Sequence, residues 1–241
     1  MSRPDPAISL RKDRDGQVTL LIDGVQAMQG WERELMWHSA DLLCRHGGDF
    51  LEVGLGLGLS ALRIAGNPRT RRHTVVEKHA KVIELFRAEH PVAPGSLRIV
   101  HGDFFDLVDD LRPASLDGVF FDPELPRAVF EDPAVVDGFL PKIVRALRPG
   151  GTFVPMFSVA GEVPDAATCT APPAVMLDRY LRFFDQVVIQ RHRYQAYEDT
   201  RYTPARQGDA FVLCFSTAQA TGQAGSVHDQ DRYGAPSQQP P

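Results

Sequence analysis

Strand-like and helix-like segments alternate along the middle of this chain. The first pair is DFLEVGL and LSALRIAG, and the same order recurs three more times before the strand-like segment GGTFVPMFS. Strands that alternate with helices every ~20 to 30 residues form parallel βαβ units with helices on both faces. Two later segments, DQVVIQRHRYQAY and DAFVLCFS, predict an antiparallel pair at one edge. We therefore predict an α/β fold with a seven-stranded, mostly parallel sheet.

The segments on either side of this alternation predict different structures. Residues 8–28 alternate between polar and apolar positions around an Asp15–Gly16 turn, which predicts a hairpin. The spacing of apolar residues in WERELMWHSADLLC predicts an amphipathic helix that ends at Gly47. The end of the chain is polar and rich in Gly, Pro and Gln, which predicts disorder. The predicted organisation is a hairpin and helix over residues 1–48, a main domain over 49–217 and a disordered tail over 218–241.

Composition and charge exclude several classes of protein. The chain has 26 Lys and Arg against 31 Asp and Glu, a net charge of −5. This balance disfavours a nucleic-acid partner, because nucleic-acid surfaces need clustered positive charge. Cys44, Cys169 and Cys214 form no CxxC pair, so we expect no disulfide framework and no bound metal. With neither a signal-peptide-like start nor an apolar run of membrane-spanning length, we expect a cytoplasmic protein with no membrane partner.

A glycine-rich turn follows the first of the predicted parallel strands. It runs from Glu52 to Gly58, with Gly54, Gly56 and Gly58 at every second position. Ligands of open α/β sheets bind at the carboxyl ends of the strands, where glycines allow close backbone approach and positive φ. A dinucleotide fingerprint would need glycine at the position of Leu59. The pattern instead resembles motif I of the class I S-adenosylmethionine-dependent methyltransferases.

Three later positions agree with this resemblance. Glu77, next to Lys78, ends the second parallel strand, where a carboxylate can accept hydrogen bonds from both ribose hydroxyls. Gly102, Asp103 and Phe104 follow the third strand, where an acidic residue and an aromatic ring can hold adenine, and LRPGG precedes the fifth strand. The resemblance implies a Rossmann-like class I methyltransferase fold. It also implies S-adenosyl-L-methionine as cofactor and S-adenosyl-L-homocysteine as product, bound by these residues and by the glycine turn, the acidic residue of that turn included.

A second resemblance narrows the acceptor of the methyl group. Trp31, Glu32 and Met36 form a W-E-x-x-x-M pattern in the helix before the glycine turn, and Asp122-Pro123 follows the fourth strand. With these elements, residues 26–155 resemble guanidinoacetate N-methyltransferase and the related arginine N-methyltransferases that act on a guanidine. The resemblance implies that the helix caps the substrate.

The same resemblance implies that Glu32 and Asp122 are the catalytic residues and grip the substrate guanidinium. A planar guanidinium offers paired N–H donors that fit carboxylates in a bidentate manner. Because opposite charges favour the cation, the carboxylates would act by orientation and, for Asp122, by accepting a proton as the C–N bond forms. Met36 and Asp122 would also touch the cofactor. Trp31 would either form part of the pocket wall by stacking or anchor the helix in the core.

Two departures from guanidinoacetate N-methyltransferase leave the substrate open. Glu124 follows Asp122-Pro123 and adds a negative charge suited to a second cationic group, which favours free L-arginine with its α-amino group. The segment MFSVAG, which contains Ser158, differs from the family segment that receives the substrate carboxylate, and we expect Ser158 to contact the substrate.

Several alternatives stay open at this stage. The acceptor can be guanidinoacetate or a protein arginine instead of free arginine. Polyamine aminopropyltransferases share the fold and bind a related sulfonium, and a binding module without activity would keep the fold as well. The hairpin at residues 8–28 has an exposed edge, which either closes over the active site or pairs with a second chain in a homodimer.

Overall fold

A computed structural model describes residues 5–125, 132–160 and 173–219 of the chain. Its strands are β1 (Ile8–Lys12), β2 (Val18–Ile22), β3 (Val25–Gln29), β4 (Gly48–Val53), β5 (Thr70–Glu77), β6 (Leu97–His101), β7 (Leu116–Phe121), β8 (Leu147–Pro155), β9 (Ser158–Val159), β10 (Gln186–Gln195) and β11 (Gln207–Ser216). Its helices are α1 (Arg33–Leu43), α2 (Leu59–Gly66), α3 (Ala80–Glu89), α4 (Phe104–Leu107), α5 (Pro133–Ala146) and α6 (Pro173–Tyr180). Short 3₁₀ turns lie at Gly30–Glu32, Cys44–His46 and Val108–Asp110.

The central sheet has the strand order β10-β11-β8-β7-β4-β5-β6, and the short β9 pairs with β11 beside it. The five strands from β4 to β8 all run parallel to one another. Strand β11 is antiparallel to both of its neighbours, β8 and β10. The predicted α/β fold, with a mostly parallel sheet and an antiparallel pair at one edge, is therefore confirmed. The chain runs outward from β4 to β6 and returns to β7 on the other side of β4. This switch point is where open α/β sheets bind ligands.

Helices cover both faces of this sheet. Helices α1, α2 and α3 pack on one face against side chains that include Phe50 and Val75. Helices α5 and α6 pack on the other face against Phe121 and Phe153. Strands that are buried on both faces have near-continuous apolar sequences, which is why the alternation of segments was readable. None of the helices in the described residues is long and apolar enough to cross a membrane.

The N-terminal segment forms a separate antiparallel sheet of the order β1-β2-β3. The predicted turn is formed between β1 and β2, where Asp13 accepts hydrogen bonds from the amides of Asp15 and Gln17. The single hairpin predicted over residues 8–28 is incomplete, because a second turn joins β2 to β3. That turn is Asp23–Gly24, with φ of 50° and 76°. Asp-Gly is a hairpin signal of the same kind as the first turn.

Two further regions differ from the sequence-based expectation. Helix α1 begins at Arg33 because the residues before it form a 3₁₀ turn, and helix α6 was not predicted. Residues 218 and 219 of the predicted tail are described. The carbonyl oxygen of Ala218 accepts a hydrogen bond from the amide of Gly150, and the amide of Ala218 donates one to Oδ2 of Asp185. The rest of the predicted disordered tail and Cys169 lie outside the described residues.

Candidate active site

A cleft lies at the carboxyl ends of β4, β5, β6 and β7, beneath residues from the N-terminal sheet and α1. Most of the site residues predicted from the sequence line it: Glu32, Met36, Gly54, Gly56, Glu77, Lys78, Gly102, Asp103, Phe104, Asp122 and Glu124. Four predicted residues do not line it: Trp31, Glu52, Gly58 and Ser158. The topology thus gathers residues that are spread over about ninety positions of sequence into one site, as expected for the carboxyl edge of such a sheet.

Gly54 brings the glycine turn into contact with the end of β7. Its φ is 90°, and a Cβ at this position would lie 2.4 Å from the carbonyl oxygen of Asp122. The amide of Asp122 donates a hydrogen bond to the carbonyl oxygen of Val53 over 3.1 Å. A side chain at residue 54 would therefore push the turn away from Asp122, which explains why glycine is required.

Gly56 and Gly58 make room for neighbouring side chains. A Cβ on Gly56 would lie 2.7 Å from Sδ of Met28, and the amide of Leu57 lies 3.2 Å from the same sulfur atom. Gly58 lies outside the cleft, and a Cβ there would lie 2.2 Å from the ring of Phe86 on α3. Gly58 therefore makes room for the Phe86 ring, and its contact with the cofactor stays a prediction.

Two carboxylates at the next strand ends are held by the chain itself. Oε2 of Glu77 accepts a hydrogen bond from the amide of Leu55 at 2.9 Å. Oδ1 of Asp103 accepts from the amide of Phe105 at 3.0 Å, and Oδ2 lies 2.7 Å from Nζ of Lys78. Burial raises the pKa of Asp103, but the Lys78 ammonium and the Phe105 amide outweigh it and hold the pKa below its usual range. Both side chains are fixed in orientation, and their oxygens keep lone pairs for hydroxyl and amine donors.

Glu52 lies behind the glycine turn and not in the cleft. Its side chain is 1% exposed and accepts a hydrogen bond from the hydroxyl of Ser60 on α2. Oε2 of Glu52 lies 2.9 Å from Nε2 of His73 on β5. Glu52 therefore joins the end of β4 to the start of α2, and its contact with the cofactor stays a prediction. Side chains alternate between the two faces along a strand, so Glu52 points to the same face as Phe50, which is the face covered by α1, α2 and α3.

Glu32 and Asp122 carry carboxylates that have no cationic partner among the residues the structure describes. Glu32 is 4% exposed, and its Oε1 accepts a hydrogen bond from the amide of Gln29 at 2.7 Å. Burial raises the pKa of Glu32 well above its usual value, the Gln29 amide counteracts this, and the charge of Asp122 adds to the rise. Burial and the charge of Glu52 raise the pKa of Asp122 to about 7. Within the described residues, no Lys, Arg or His forms an ion pair with Glu32 or Asp122.

Trp31 and Ser158 lie behind the wall of the cleft. Nε1 of Trp31 donates to Oε1 of Gln29 at 2.9 Å, and the Trp31 ring packs against Phe157 and Tyr194 with centroid distances of 6.0 and 5.6 Å. Phe157 lines the cleft and Trp31 does not, which favours the anchoring role for Trp31. Ser158 is fully buried where β9 pairs with β11, and its contact with the substrate stays a prediction.

Glu124 lies at the mouth of the cleft on the side of the predicted ribose site. Much of the residue is exposed. Partial burial of the carboxylate raises its pKa, the charges of Glu77 and Asp23 raise it further, and Lys78 lowers it. Its charged neighbours therefore belong to the end of β5 and to the β2–β3 turn.

The N-terminal sheet supplies a wall that the sequence did not assign residue by residue. Leu20, Ile22, Ala27 and Met28 line the cleft. The loop between β10 and β11 holds this sheet in place through pairs that include Tyr202 hydroxyl to Gln26 carbonyl, Gln29 to Asp199 and Arg11 to Asp199. Alternating apolar residues on β2 and β3 were a readable signal for this wall, whereas the loop after β10 has no pattern. The position agrees with the expected closure over the site, and the homodimer stays a prediction.

The fold and the glycine turn agree with those of the class I S-adenosylmethionine-dependent methyltransferases. A family model described as guanidinoacetate N-methyltransferase matches residues 10–154, more than half of the chain. The chain belongs to this family. The family implies an enzyme that uses S-adenosylmethionine.

Solved structures add a likeness in fold. One is spermidine synthase from Thermotoga maritima, with a TM-score of 0.62 and 14% identity over 90% of this chain and 72% of that chain. Another is spermidine synthase in complex with the transition-state analogue AdoDATO, with a TM-score of 0.61 and 14% identity over 90% of this chain and 71% of that chain. At this level of identity, the likeness supports the fold and not a shared substrate.

The residues of the cleft suit S-adenosylmethionine. Gly54 and Gly56 expose backbone at positive φ, Glu77 offers acceptor oxygens for ribose hydroxyls, and Asp103 lies beside the ring of Phe104. In the part of the chain that the structure describes, no group of three or more His, Cys, Asp or Glu is placed to hold a metal ion.

Proposed function

We propose that this methyltransferase acts on the guanidino group of a small molecule, and that free L-arginine is its acceptor. One observation carries the proposal: Glu32 and Asp122 line a single cleft without a cationic partner among the described residues. Glu32 is buried and Asp122 is half-buried, and burial of a carboxylate is costly unless it is paired or hydrogen-bonded. The ligand that this pair favours is therefore a cation from outside the chain.

A guanidinium suits the pair better than a point charge. It is planar and carries five N–H donors, so that two carboxylates can fix its plane. The amide of Gln29 holds Oε1 of Glu32, and main-chain contacts with the glycine turn hold Asp122. With a guanidinium between them, the pKa of each carboxyl falls, because an opposite charge favours the ionised form.

The chain's own residues align the acceptor nitrogen and take its proton. S-adenosylmethionine, when bound, supplies a methyl group on a positively charged sulfur. The guanidinium nitrogen loses one proton as its bond to the methyl carbon forms, so that the product keeps a single positive charge. Asp122, whose pKa is raised by burial to about 7, is partly ionised at neutral pH and is the group we assign as the base.

The acidic character of the cleft favours arginine over guanidinoacetate. Glu32, Asp122 and Glu124 line it, while the ammonium of Lys78 is already paired with Asp103. Arginine carries an α-ammonium group besides its guanidinium, whereas guanidinoacetate carries only a carboxylate there. Guanidinoacetate is the second candidate, favoured by the family model that matches this chain.

The experiment is to incubate the protein with S-adenosylmethionine and, in turn, arginine, guanidinoacetate, agmatine and canavanine. Mass spectrometry should detect arginine with one added methyl group and S-adenosylhomocysteine as co-product. Methylthioadenosine as co-product would identify an aminopropyltransferase instead. No methylated guanidine in any reaction would contradict the proposal.

Three variants link the activity to the carboxylate pair. Glu32→Gln and Asp122→Asn should each lower the methyl-transfer rate at least about 100-fold, because orientation or the proton acceptor is lost. Both should still bind S-adenosylmethionine in calorimetry. Glu34→Gln is the matched control, since Glu34 is an exposed glutamate two residues further along, in the first turn of α1, and it should retain the parent rate. A parent-like rate in Glu32→Gln or Asp122→Asn would contradict the pair's role.

A further inference from the structure

The glycine turn is closed from behind by one side-chain bond. Ser60, the second residue of α2, donates its hydroxyl proton to Oε1 of Glu52, the residue before the last of β4. The bond spans the turn that contains Gly54, Gly56 and Gly58, all at positive φ. Three glycines at positive φ leave the backbone of this turn many accessible shapes, and a bond between its two ends restricts them.

The Glu52 carboxylate needs a second partner to remain in place. It is 1% exposed, and Ser60 occupies only Oε1. Oε2 faces Nε2 of His73 at 2.9 Å, and His73 is 0% exposed. This contact has the distance of an ion pair, while its angle falls short of hydrogen-bond geometry, so both side chains retain unused polar capacity. A buried carboxylate without such a neighbour would be strongly disfavoured.

The sheet places His73 where it can reach Glu52. His73 pairs with Phe50 in the register of β4 and β5, one pleat below Glu52 on the same face. Helix α2 packs on β5, so that His73, Glu52 and Ser60 follow one another from β5 through β4 to the helix. None of the three is explained by the apolar packing around them.

We propose that His73 is a positioning residue for S-adenosylmethionine binding, which holds Glu52 so that Glu52 and Ser60 set the shape of the glycine turn. His73 itself lies outside the cleft, and Ser60, Gly54 and Gly56 line it. His73 would affect the binding of S-adenosylmethionine, whichever acceptor is methylated. The test therefore uses no guanidine.

The test compares four single variants and one double variant in calorimetry with S-adenosylmethionine and in hydrogen exchange of the protein alone. His73→Leu removes the ring nitrogens, His73→Gln keeps an N–H donor, and Ser60→Ala removes the hydroxyl. Val75→Ala is the matched control, because Val75 is a fully buried residue two positions along the same strand and face. Removal of one polar neighbour from a buried carboxylate corresponds to about a tenfold rise in Kd.

The expected result is a rise in Kd of about tenfold for His73→Leu and Ser60→Ala, with most of the affinity restored in His73→Gln. The amides of residues 55–58 should exchange faster in His73→Leu and Ser60→Ala but not in Val75→Ala. The double variant of His73→Leu with Ser60→Ala should bind no more weakly than the weaker single variant, because both break one chain of contacts.

Parent-like affinity in either His73→Leu or Ser60→Ala would overturn the proposal, as would equal losses in His73→Leu and Val75→Ala. If His73→Leu does not fold, Ser60→Ala and His73→Gln decide alone: a normal Kd for Ser60→Ala overturns the proposal, and a raised Kd with faster exchange at residues 55–58 supports it. A parent protein that bound no S-adenosylmethionine would overturn this proposal together with the cofactor assignment, whereas failure of methyl transfer to guanidines would leave it unaffected.

Discussion

The two halves of the cleft use the same type of residue in opposite ways. On the cofactor side, Glu77 and Asp103 are bonded to backbone amides, and Asp103 also to Lys78. On the side proposed for the methyl acceptor, Glu32 accepts a hydrogen bond from one backbone amide. Asp122 has no cationic partner among the described residues. The pKa values of the two sides shift in opposite directions. Lys78 and a backbone amide hold the pKa of Asp103 below its usual range, whereas burial raises the pKa of Glu32 and the pKa of Asp122.

This contrast suggests how one cleft can discriminate between two ligands. Carboxylates that the chain already satisfies present a fixed, preorganised shape, which suits neutral hydroxyl and amine donors. Carboxylates without a cationic partner among the described residues gain most from a cation, because that ligand offsets the cost of burying them. In this account the cofactor half is preorganised by the chain, and the acceptor half is completed by its substrate.

The largest effect is expected where the two halves touch. Gly54→Ala should lose both S-adenosylmethionine binding and methyl transfer, because its Cβ would lie 2.4 Å from the carbonyl oxygen of Asp122 and its φ is 90°. The backbone strain alone costs about 1–2 kcal/mol. Calorimetry and the mass assay check both losses. Normal binding with a selective loss of transfer would mean that the halves are not joined at this residue.

A smaller and one-sided effect is expected at Glu77. Glu77→Gln should weaken S-adenosylmethionine binding by about tenfold, because one charged acceptor for the ribose hydroxyls is lost. The kcat at saturating cofactor should stay near that of the parent. Steady-state kinetics with varied cofactor separate the two parameters. A collapse of kcat with unchanged cofactor affinity would place Glu77 in the acceptor half and break the comparison.

The smallest effect is on stability. A carboxyl whose pKa is raised on folding stabilises the fold fully at low pH, and this contribution is lost as pH rises through the folded-state pKa, which burial places at about 7 for Asp122. Asp122→Asn removes the titration, so its thermal stability relative to the parent should be higher at pH 8 than at pH 5. Scanning calorimetry at both values checks this. An equal difference at both pH values would mean that Asp122 is not buried as a charge.

Much of the fold was readable because its signals are local. The alternation of apolar strands and helices reflects a sheet buried on both faces, and the glycine turn appears at the strand end where ligand-binding turns occur. The Asp23–Gly24 turn carried a readable hairpin signal and was nevertheless missed. Most predicted site residues line the cleft because the carboxyl ends of neighbouring parallel strands meet at one edge.

The remaining features depend on side-chain direction and long-range pairing. A motif places Glu52 and Gly58 in the turn, but it does not say that Glu52 faces His73 or that Gly58 makes room for Phe86. Strand alternation, with Phe50 and Glu52 on one face, could have indicated the direction of Glu52. The N-terminal sheet forms one wall of the cleft and is held by a hydrogen bond from the Tyr202 hydroxyl to the carbonyl oxygen of Gln26. These residues lie far apart in sequence, and no local pattern encodes such a contact.

The central claim is that the acceptor half is completed by a cation, and proton release on binding tests it most directly. With S-adenosylhomocysteine present at pH 7, arginine is titrated into the protein in buffers of different ionisation enthalpy. Asp122, with a pKa raised by burial to about 7, is about half protonated there, so binding should release about half a proton or more per arginine. Heats that do not depend on the buffer, with arginine bound, would contradict the account.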